Sequence, residues 1–163
     1  MPRPLNSQGV PDPLDPTVIE EFLNRHIPYR LALLDLAEAV VPPKTISESA
    51  FVEAGIVAGR LLLEFVGLRS KRKGGLRLVP DRTYRNEQHH TDDVKIPDVG
   101  GRFVCLDSLD EAVQETLAHF HDGASKSSAH FTWDSGHHLD VYNFKRAIPM
   151  IRNLVVAHLP QRN

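Results

Sequence analysis

The chain has 163 residues, of which 41% are hydrophobic and 25% charged, a composition typical of one soluble globular domain with its own core. Its formal net charge of −2 excludes an overall basic character, although a local basic face remains compatible with it. A single cysteine, Cys105, excludes an internal disulfide framework and favours a reducing compartment. Because no signal-peptide pattern and no membrane-length apolar run is visible, we expect a cytoplasmic protein that does not contact a membrane.

The expected organisation is a flexible N-terminal tail at residues 1–15, followed by a single helical domain at residues 16–163. The tail contains four of the twelve prolines, which disfavour regular structure. Within the domain, residues 69–102 form a long polar connection that contains two glycine pairs. Helical patterns dominate elsewhere, so the expected fold is all-α. We expect a four- to five-helix bundle in which this connection is irregular and strand is scarce or absent.

The first part of the domain predicts one interrupted helix. Thr17 and Glu20 have the spacing of a capping box, which predicts a helix that begins at about Pro16. Pro28 should then break or kink the helix, because proline lacks an N–H group and clashes with the preceding turn. The apolar pattern continues beyond it and ends at Pro42-Pro43.

The clearest helix begins at a second capping box, Thr45 with Glu48, and should end near Gly67, a residue that suits a C-terminal cap. Small residues four positions apart form one stripe of this helix, with glycines beside it, and allow a second helix to approach closely. These residues are Ala50, Ala54, Ala58, Gly55 and Gly59. We interpret them as a packing surface.

Two further helices are expected in the C-terminal half of the chain. A capping box of Ser108 and Glu111 predicts a helix to about His121, followed by a loop. The last helix should begin near Asp140, where apolar residues recur at three- and four-residue steps. Pro149 lies inside this pattern, so we expect a kink there or a break into two helices.

Three polar residues interrupt the apolar last helix in the segment Arg152-Asn153-Leu-Val-Val-Ala-His158. Such groups must be paired, capped or functional, because burying them unsatisfied is costly. The segment resembles the Arg-x(4–6)-His signature of the HEPN superfamily (higher eukaryote and prokaryote nucleotide-binding domains). Two other pairs with similar spacing lie in the polar connection, where no apolar helix can hold them.

The resemblance implies a fold, an activity and partners. The HEPN motif lies near the end of an all-helical bundle, often with a polar residue directly after the arginine, as Asn153 is here. The implied activity is that of a metal-independent endoribonuclease without a cofactor, which acts on RNA within a toxin–antitoxin or defence system. The implied partners are a second copy of the chain, because catalytic HEPN proteins are typically homodimers, and a cognate antitoxin protein.

The residue types fit this chemistry. Metal-free RNA cleavage requires a proton to leave the 2′-hydroxyl, charge to be stabilised at phosphorus, and the leaving oxygen to be protonated. Histidine titrates near neutrality, so His158 would be the general acid or base. Arginine stays charged and can bind two phosphate oxygens, so Arg152 would hold the phosphate. Asn153 would orient the phosphate or the histidine.

The geometry of an α-helix limits how closely Arg152 and His158 of one chain can approach each other. Six residues place His158 about 9 Å along the axis and about 120° around it from Arg152, so the two side chains converge only partly within one chain. The apolar surroundings fit a dimer seam or a monomer core equally well. In the structural alternative, His158 caps the C-terminus of the helix and Arg152 forms an ion pair.

A basic cluster at the start of the polar connection is a candidate RNA-binding surface. It consists of Arg69, Lys71, Arg72 and Lys73, next to a glycine pair. Cations grouped in this way could contact the phosphate backbone of RNA. A solvated loop without a ligand is the alternative interpretation.

A histidine-rich segment offers a second, metal-based alternative. Its members are His119, His121, His130, His137 and His138. They could bind zinc or another divalent ion. However, two histidines separated by one residue point about 160° apart on a helix, and no zinc-binding motif accompanies them. Solvated or capping roles are the competing interpretation, and we expect no bound metal.

The leading hypothesis is therefore a HEPN-like, metal-independent endoribonuclease. The first rival is a non-catalytic HEPN-like bundle that binds a nucleotide or a protein partner. The second rival is a metal-dependent helical enzyme that uses the histidine-rich segment.

Overall fold

The computed structural model describes residues 12–81, 93–127 and 141–161. In these ranges the elements are α1 (Pro16–Glu21), α2 (Ile27–Val40), α3 (Ile46–Phe65), β1 (Leu68–Lys71), β2 (Arg77–Pro80), α4 (Glu111–Ser127) and α5 (Val141–His158). Short 3₁₀ turns lie at Ile96–Val99 and Leu106–Ser108. The expected all-α fold with little strand is confirmed.

The helices α1 and α2 form one continuous helical segment, because a π-helical turn at Phe22–His26 joins them. The expected break at Pro28 is therefore wrong. This proline lies in the first turn of α2, directly after the π turn, where the Ile27 N–H group donates to the Phe22 carbonyl five residues earlier. The wider turn accommodates a residue that a regular helix interior would exclude.

The helix ends confirm one predicted cap and correct another. Asp15 caps α1 in place of Thr17, because its carboxylate accepts the Thr17 N–H group at 2.8 Å. The capping box of α3 is confirmed: Thr45 Oγ1 accepts the Glu48 N–H group at 3.1 Å, and Glu48 Oε2 accepts the Thr45 N–H group at 3.0 Å. Gly67 follows α3 with a φ of 84°, the left-handed conformation that favours glycine at a helix end.

The first part of the polar connection at residues 69–102 is more regular than expected. The strands β1 and β2 pair as an antiparallel hairpin, in which Leu68 lies opposite Pro80. Leu68 and Leu78 are buried while their neighbours are exposed or half-buried, so one face of the hairpin covers the helical core. The alternation was too short to separate a strand from a loop in the sequence.

Close packing of α3 against its neighbours organises the core. A Cβ atom at Gly55 would overlap the Ala37 side chain of α2, and one at Gly59 would lie 2.6 Å from the Phe120 ring of α4. The small residues thus do form a packing surface, as expected. The largest fully buried side chains come from every helix after α1 and from the hairpin: Phe120, Phe144, Leu34, Leu62, Leu63 and Leu68 are among them.

The two C-terminal helices differ from expectation in length and continuity. Helix α4 continues beyond His121 to Ser127, because Ala124 packs in the core and holds this turn in place. Helix α5 passes through Pro149 without a break. The carbonyl that lacks its usual partner belongs to Lys145, an exposed residue, where water can supply the hydrogen bond.

The apolar stripe of α5 faces the core of its own chain and leaves its other sides exposed. Its buried members recur at three- and four-residue steps: Phe144, Ala147, Ile148, Ile151 and Val155. The stripe is therefore a monomer core and not a dimer seam. No described helix has both the length and the apolar composition needed to cross a bilayer.

We predict that Gly55→Ala destabilises the fold. Alanine favours the helix by up to about 1 kcal/mol relative to glycine, but the added methyl overlaps Ala37, which is itself fixed on a helix. Overpacking should outweigh that gain and leave a net loss of about 1–2 kcal/mol in the free energy of unfolding, measured by urea denaturation. Ser47→Ala, an exposed substitution in the same helix, serves as the control. Stability equal to or above that of the wild type would contradict the close contact.

Candidate functional site

Arg152 lies on the flank of α5 that faces α2, and it is already paired. Its Nη2 atom contacts Asp35 Oδ1 and lies 3.3 Å from Glu38 Oε2. The two carboxylates come from adjacent turns of α2 and contact the same nitrogen of the guanidinium. The Arg152 side chain is 32% exposed, so this ion-pair cluster borders solvent. Asn153, the next residue, is exposed.

His158 is half-buried at the C-terminal end of α5. Its Nδ1 atom lies 2.8 Å from the Leu154 carbonyl oxygen, which can only accept, so Nδ1 carries a proton and donates it. The last turn of the helix is thereby capped, as the structural alternative predicted. No described residue forms a hydrogen bond with Nε2, the nitrogen that has the lone pair in the neutral ring.

The structure does not bring Arg152 and His158 together within one chain. They lie on opposite flanks of the buried stripe of α5, because six helical residues rotate the direction of a side chain by about 120°. Arg152 points toward α2, whereas the end of α5 at His158 lies beside residues 100–102, where the Arg102 N–H group donates to the His158 carbonyl at 3.1 Å. Within one chain the two groups therefore have separate hydrogen-bonding partners.

The basic cluster lies on β1 and the turn of the hairpin, and half of it is neutralised. Arg72 forms a bidentate pair with Asp122 of α4, with distances of 2.5 and 2.6 Å. Arg69 lies 3.7 Å from Asp81. Lys71 and Lys73 are exposed, and no described carboxylate pairs with either. Lys71 and Lys73 are therefore the members of this cluster that present uncompensated charge at the hairpin turn.

The histidine-rich segment is not a metal site in the described part of the chain. His119 is exposed near Glu115, whereas His121 faces the hairpin, so the two rings diverge as the helical spacing predicts. His130, His137 and His138 lie outside the described residues. Among the residues that the structure does describe, no group of three or more histidine, cysteine or acidic side chains could hold a metal ion.

His121 instead belongs to a polar network that the sequence did not indicate. Ser70 of β1 approaches its Nδ1 atom twice, through the backbone N–H group at 3.2 Å and through Oγ at 2.9 Å. Glu64 of α3 lies at the other nitrogen, with 3.3 Å between Nε2 and Oε1. An amide N–H can only donate, so Nδ1 must accept and the ring proton lies on Nε2, directed at Glu64. The His121 side chain is only 7% exposed.

The Glu64 carboxylate is ionised in this network. Arg60 Nε donates to the same Oε1 atom at 2.9 Å. Partial burial on its own would raise the pKa of Glu64, but the hydrogen bonds from His121 and Arg60 outweigh it and lower the pKa from 4.5 to about 2. A negative charge is therefore held next to the His121 N–H group near neutral pH.

A buried ion pair and a small cavity lie on the other side of Glu64. Lys95 Nζ, 6% exposed, lies 2.9 Å from Asp81 Oδ2 and donates to the Glu64 carbonyl at 3.1 Å. A cavity of about 240 Å³ opens here between α2, α3 and residues 93–95. Apolar side chains such as Phe22 and Phe65 line it, together with the charged groups of Arg30, Glu64 and Lys95. The hydrogen bond from Lys95 to the Glu64 carbonyl thus joins the polar connection to the C-terminal end of α3.

The comparisons with known proteins returned no match: no family model, no curated protein and no solved structure is similar to this chain.

We predict that the network makes the fold sensitive to acid. The pKa of Glu64 is lower in the folded chain than its ordinary value, so its contribution to stability is fully present above about pH 4.5 and is lost as the pH falls toward 2. Allowing for its partial exposure, the contribution should be about 2 kcal/mol. Urea denaturation of the wild type and Glu64→Gln between pH 7 and 2 should give unfolding free energies that converge at low pH. Curves that stay parallel throughout this range would contradict the assignment.

Proposed function

We propose that the protein is a HEPN-like, metal-independent endoribonuclease that acts as a homodimer. The observation that carries the proposal is the state of His158: its Nδ1 proton is held by the Leu154 carbonyl, and Nε2 has no described partner. An imidazole held in this tautomer has its basic nitrogen ready for proton transfer. Arg152 and Asn153 on the same helix border solvent and supply the groups that would bind phosphate.

In the proposed reaction, Nε2 of one His158 takes the proton of the 2′-hydroxyl, and the oxygen attacks phosphorus. The bond to the 5′ oxygen breaks, and a protonated His158 of the second copy returns a proton to that oxygen. Arg152 stabilises the charge that develops on the phosphate oxygens, once phosphate replaces Asp35 or Glu38 as its partner. Asn153 orients the phosphate with its amide.

The separation of the two groups within one chain supports the homodimer. Exposed apolar side chains flank the ion-pair cluster on both helices: Leu36 follows Asp35 on α2, and Val156 lies one turn after Arg152 on α5. A second copy that covers these residues would remove water from the cluster and bring two motifs near each other. Lys71 and Lys73 at the hairpin turn are the proposed contacts to the RNA backbone outside the site.

A non-catalytic HEPN-like bundle is the second candidate function, and the pairing of Arg152 favours it. Two carboxylates at one guanidinium leave it no net charge to offer a phosphate. In that case the cluster holds α2 to α5, and the protein binds a nucleotide or a protein partner, such as an antitoxin in the cytoplasm, without cleaving RNA.

The purified protein should cleave single-stranded RNA in the presence of EDTA. His158→Ala and Arg152→Ala should each reduce the cleavage rate at least about a hundredfold, because each removes a group that acts in the transition state. His119→Ala and Arg146→Ala replace exposed residues of the same types and should leave the rate unchanged. The proposal fails if the wild type is inactive as a dimer, or if the two site variants retain full activity.

The affinity for RNA should rise when the partners of Arg152 are neutralised. Asp35→Asn combined with Glu38→Gln frees the guanidinium, and we expect binding that is tighter by about tenfold at constant salt. Glu20→Gln combined with Glu53→Gln removes the same charge from exposed positions and controls for general electrostatics. A cluster that only holds two helices together would give a different result: unchanged affinity with a loss of up to about 1 kcal/mol in stability.

A further inference from the structure

The hydroxyl group of Ser70 differs from the other serine hydroxyls whose hydrogen bonds the structure describes. Ser49, Ser108 and Ser125 each donate to a backbone carbonyl, at 3.1, 2.7 and 2.8 Å respectively. A carbonyl oxygen is too weak a base to remove a hydroxyl proton. Ser70 Oγ instead lies 2.9 Å from an imidazole nitrogen, which is a much stronger base than a carbonyl oxygen.

The tautomer of His121 makes this nitrogen the basic one. The Ser70 amide N–H donates to Nδ1, so the lone pair of the neutral ring points at Ser70 and the ring proton points at Glu64. Arg60 Nε in turn donates a hydrogen bond to Glu64 Oε1 at 2.9 Å. The order is therefore hydroxyl, imidazole, carboxylate, and each group orients the next.

We propose that Ser70, His121 and Glu64 form an acyl-accepting site in which Ser70 is the nucleophile. Its substrates would be activated carboxylic esters. This site is separate from Arg152 and His158 and does not depend on the ribonuclease proposal.

Ser70 Oγ attacks the ester carbonyl carbon while His121 Nδ1 takes the hydroxyl proton, and the carbonyl oxygen becomes an oxyanion. When that intermediate collapses, the bond to the leaving alkoxide breaks and Nδ1 returns the proton to it. The products are an ester on Ser70 and a free alcohol. The ionised Glu64 stabilises the imidazolium that exists between the two proton transfers.

The geometry predicts a slow nucleophile. When Nδ1 gains a proton it can no longer accept the Ser70 N–H bond, and that bond, the longer of the two at 3.2 Å, must open during the reaction. Opening this hydrogen bond raises the barrier to attack. We therefore expect stoichiometric labelling by reactive reagents and little turnover of ordinary esters.

Labelling of the full chain with a fluorophosphonate tests the proposal, because this reagent modifies serines that a neighbouring base activates. Peptide mapping should find one phosphonyl group on Ser70, and Ser70→Ala should remove it. His121→Gln should slow labelling at least about tenfold, whereas Ser108→Ala should leave it unchanged. An unlabelled wild type, equal labelling of several serines, or undiminished labelling of His121→Gln would overturn the proposal.

A second measurement covers the case in which His121→Gln does not fold. Wild-type protein is labelled over a urea series, and the yield of Ser70 adduct is compared with the folded fraction from circular dichroism. Activation by the folded network requires the adduct to disappear together with the folded signal. An adduct on Ser70 that persists in unfolded protein would show ordinary serine reactivity and would overturn the proposal.

Discussion

The contact between Gly55 of α3 and Ala37 of α2 leaves no space for a side chain between the two helices, and it sets how closely they approach. On the neighbouring side of α3, Gly59 lies against the Phe120 ring of α4. One helix therefore fixes the positions of two others through its small residues. The hairpin follows α3 directly, so Ser70 reaches His121 only because this apolar packing first brings α3 and α4 together. The polar network is a consequence of the packing and not its cause.

Burial separates the charged groups into two kinds. Lys95 and Asp81 are almost fully buried and paired, and removing Asp81 would leave the Lys95 charge buried without its carboxylate partner. Arg152 borders solvent, so its pairing with Asp35 and Glu38 is screened by water and can be exchanged for another anion at modest cost. This difference is why we place an exchangeable ligand at Arg152 and assign a structural role to Lys95.

The two proposed sites use histidine in opposite ways. His158 donates from Nδ1 to a carbonyl and presents Nε2, whereas His121 accepts at Nδ1 and donates from Nε2 to a carboxylate. In both cases one neighbour identifies the tautomer, because the Leu154 carbonyl can only accept a hydrogen bond and the Ser70 amide N–H can only donate one. The first ring is half-buried and has no described partner at Nε2, whereas the second lies between Ser70 and Glu64.

The sequence by itself determined the elements whose signals are local. The capping box at Thr45, the small-residue stripe of α3 and the apolar period of α5 each depend on neighbours within a turn or two, and each predicted the observed helix. Neither Pro28 nor Pro149 breaks its helix, because tolerance of a proline depends on what surrounds the unpaired carbonyl.

Only the tertiary structure decided which polar groups meet. Glu64, Ser70 and His121 come from three separate elements, and Arg152 and Lys95 likewise pair with residues outside their own elements. Contacts of this kind join residues that lie between 14 and 117 positions apart, where the spacing along the chain contains no information about distance in space. Packing of the apolar faces sets those distances, and so the chemistry available at each site was decided by the fold.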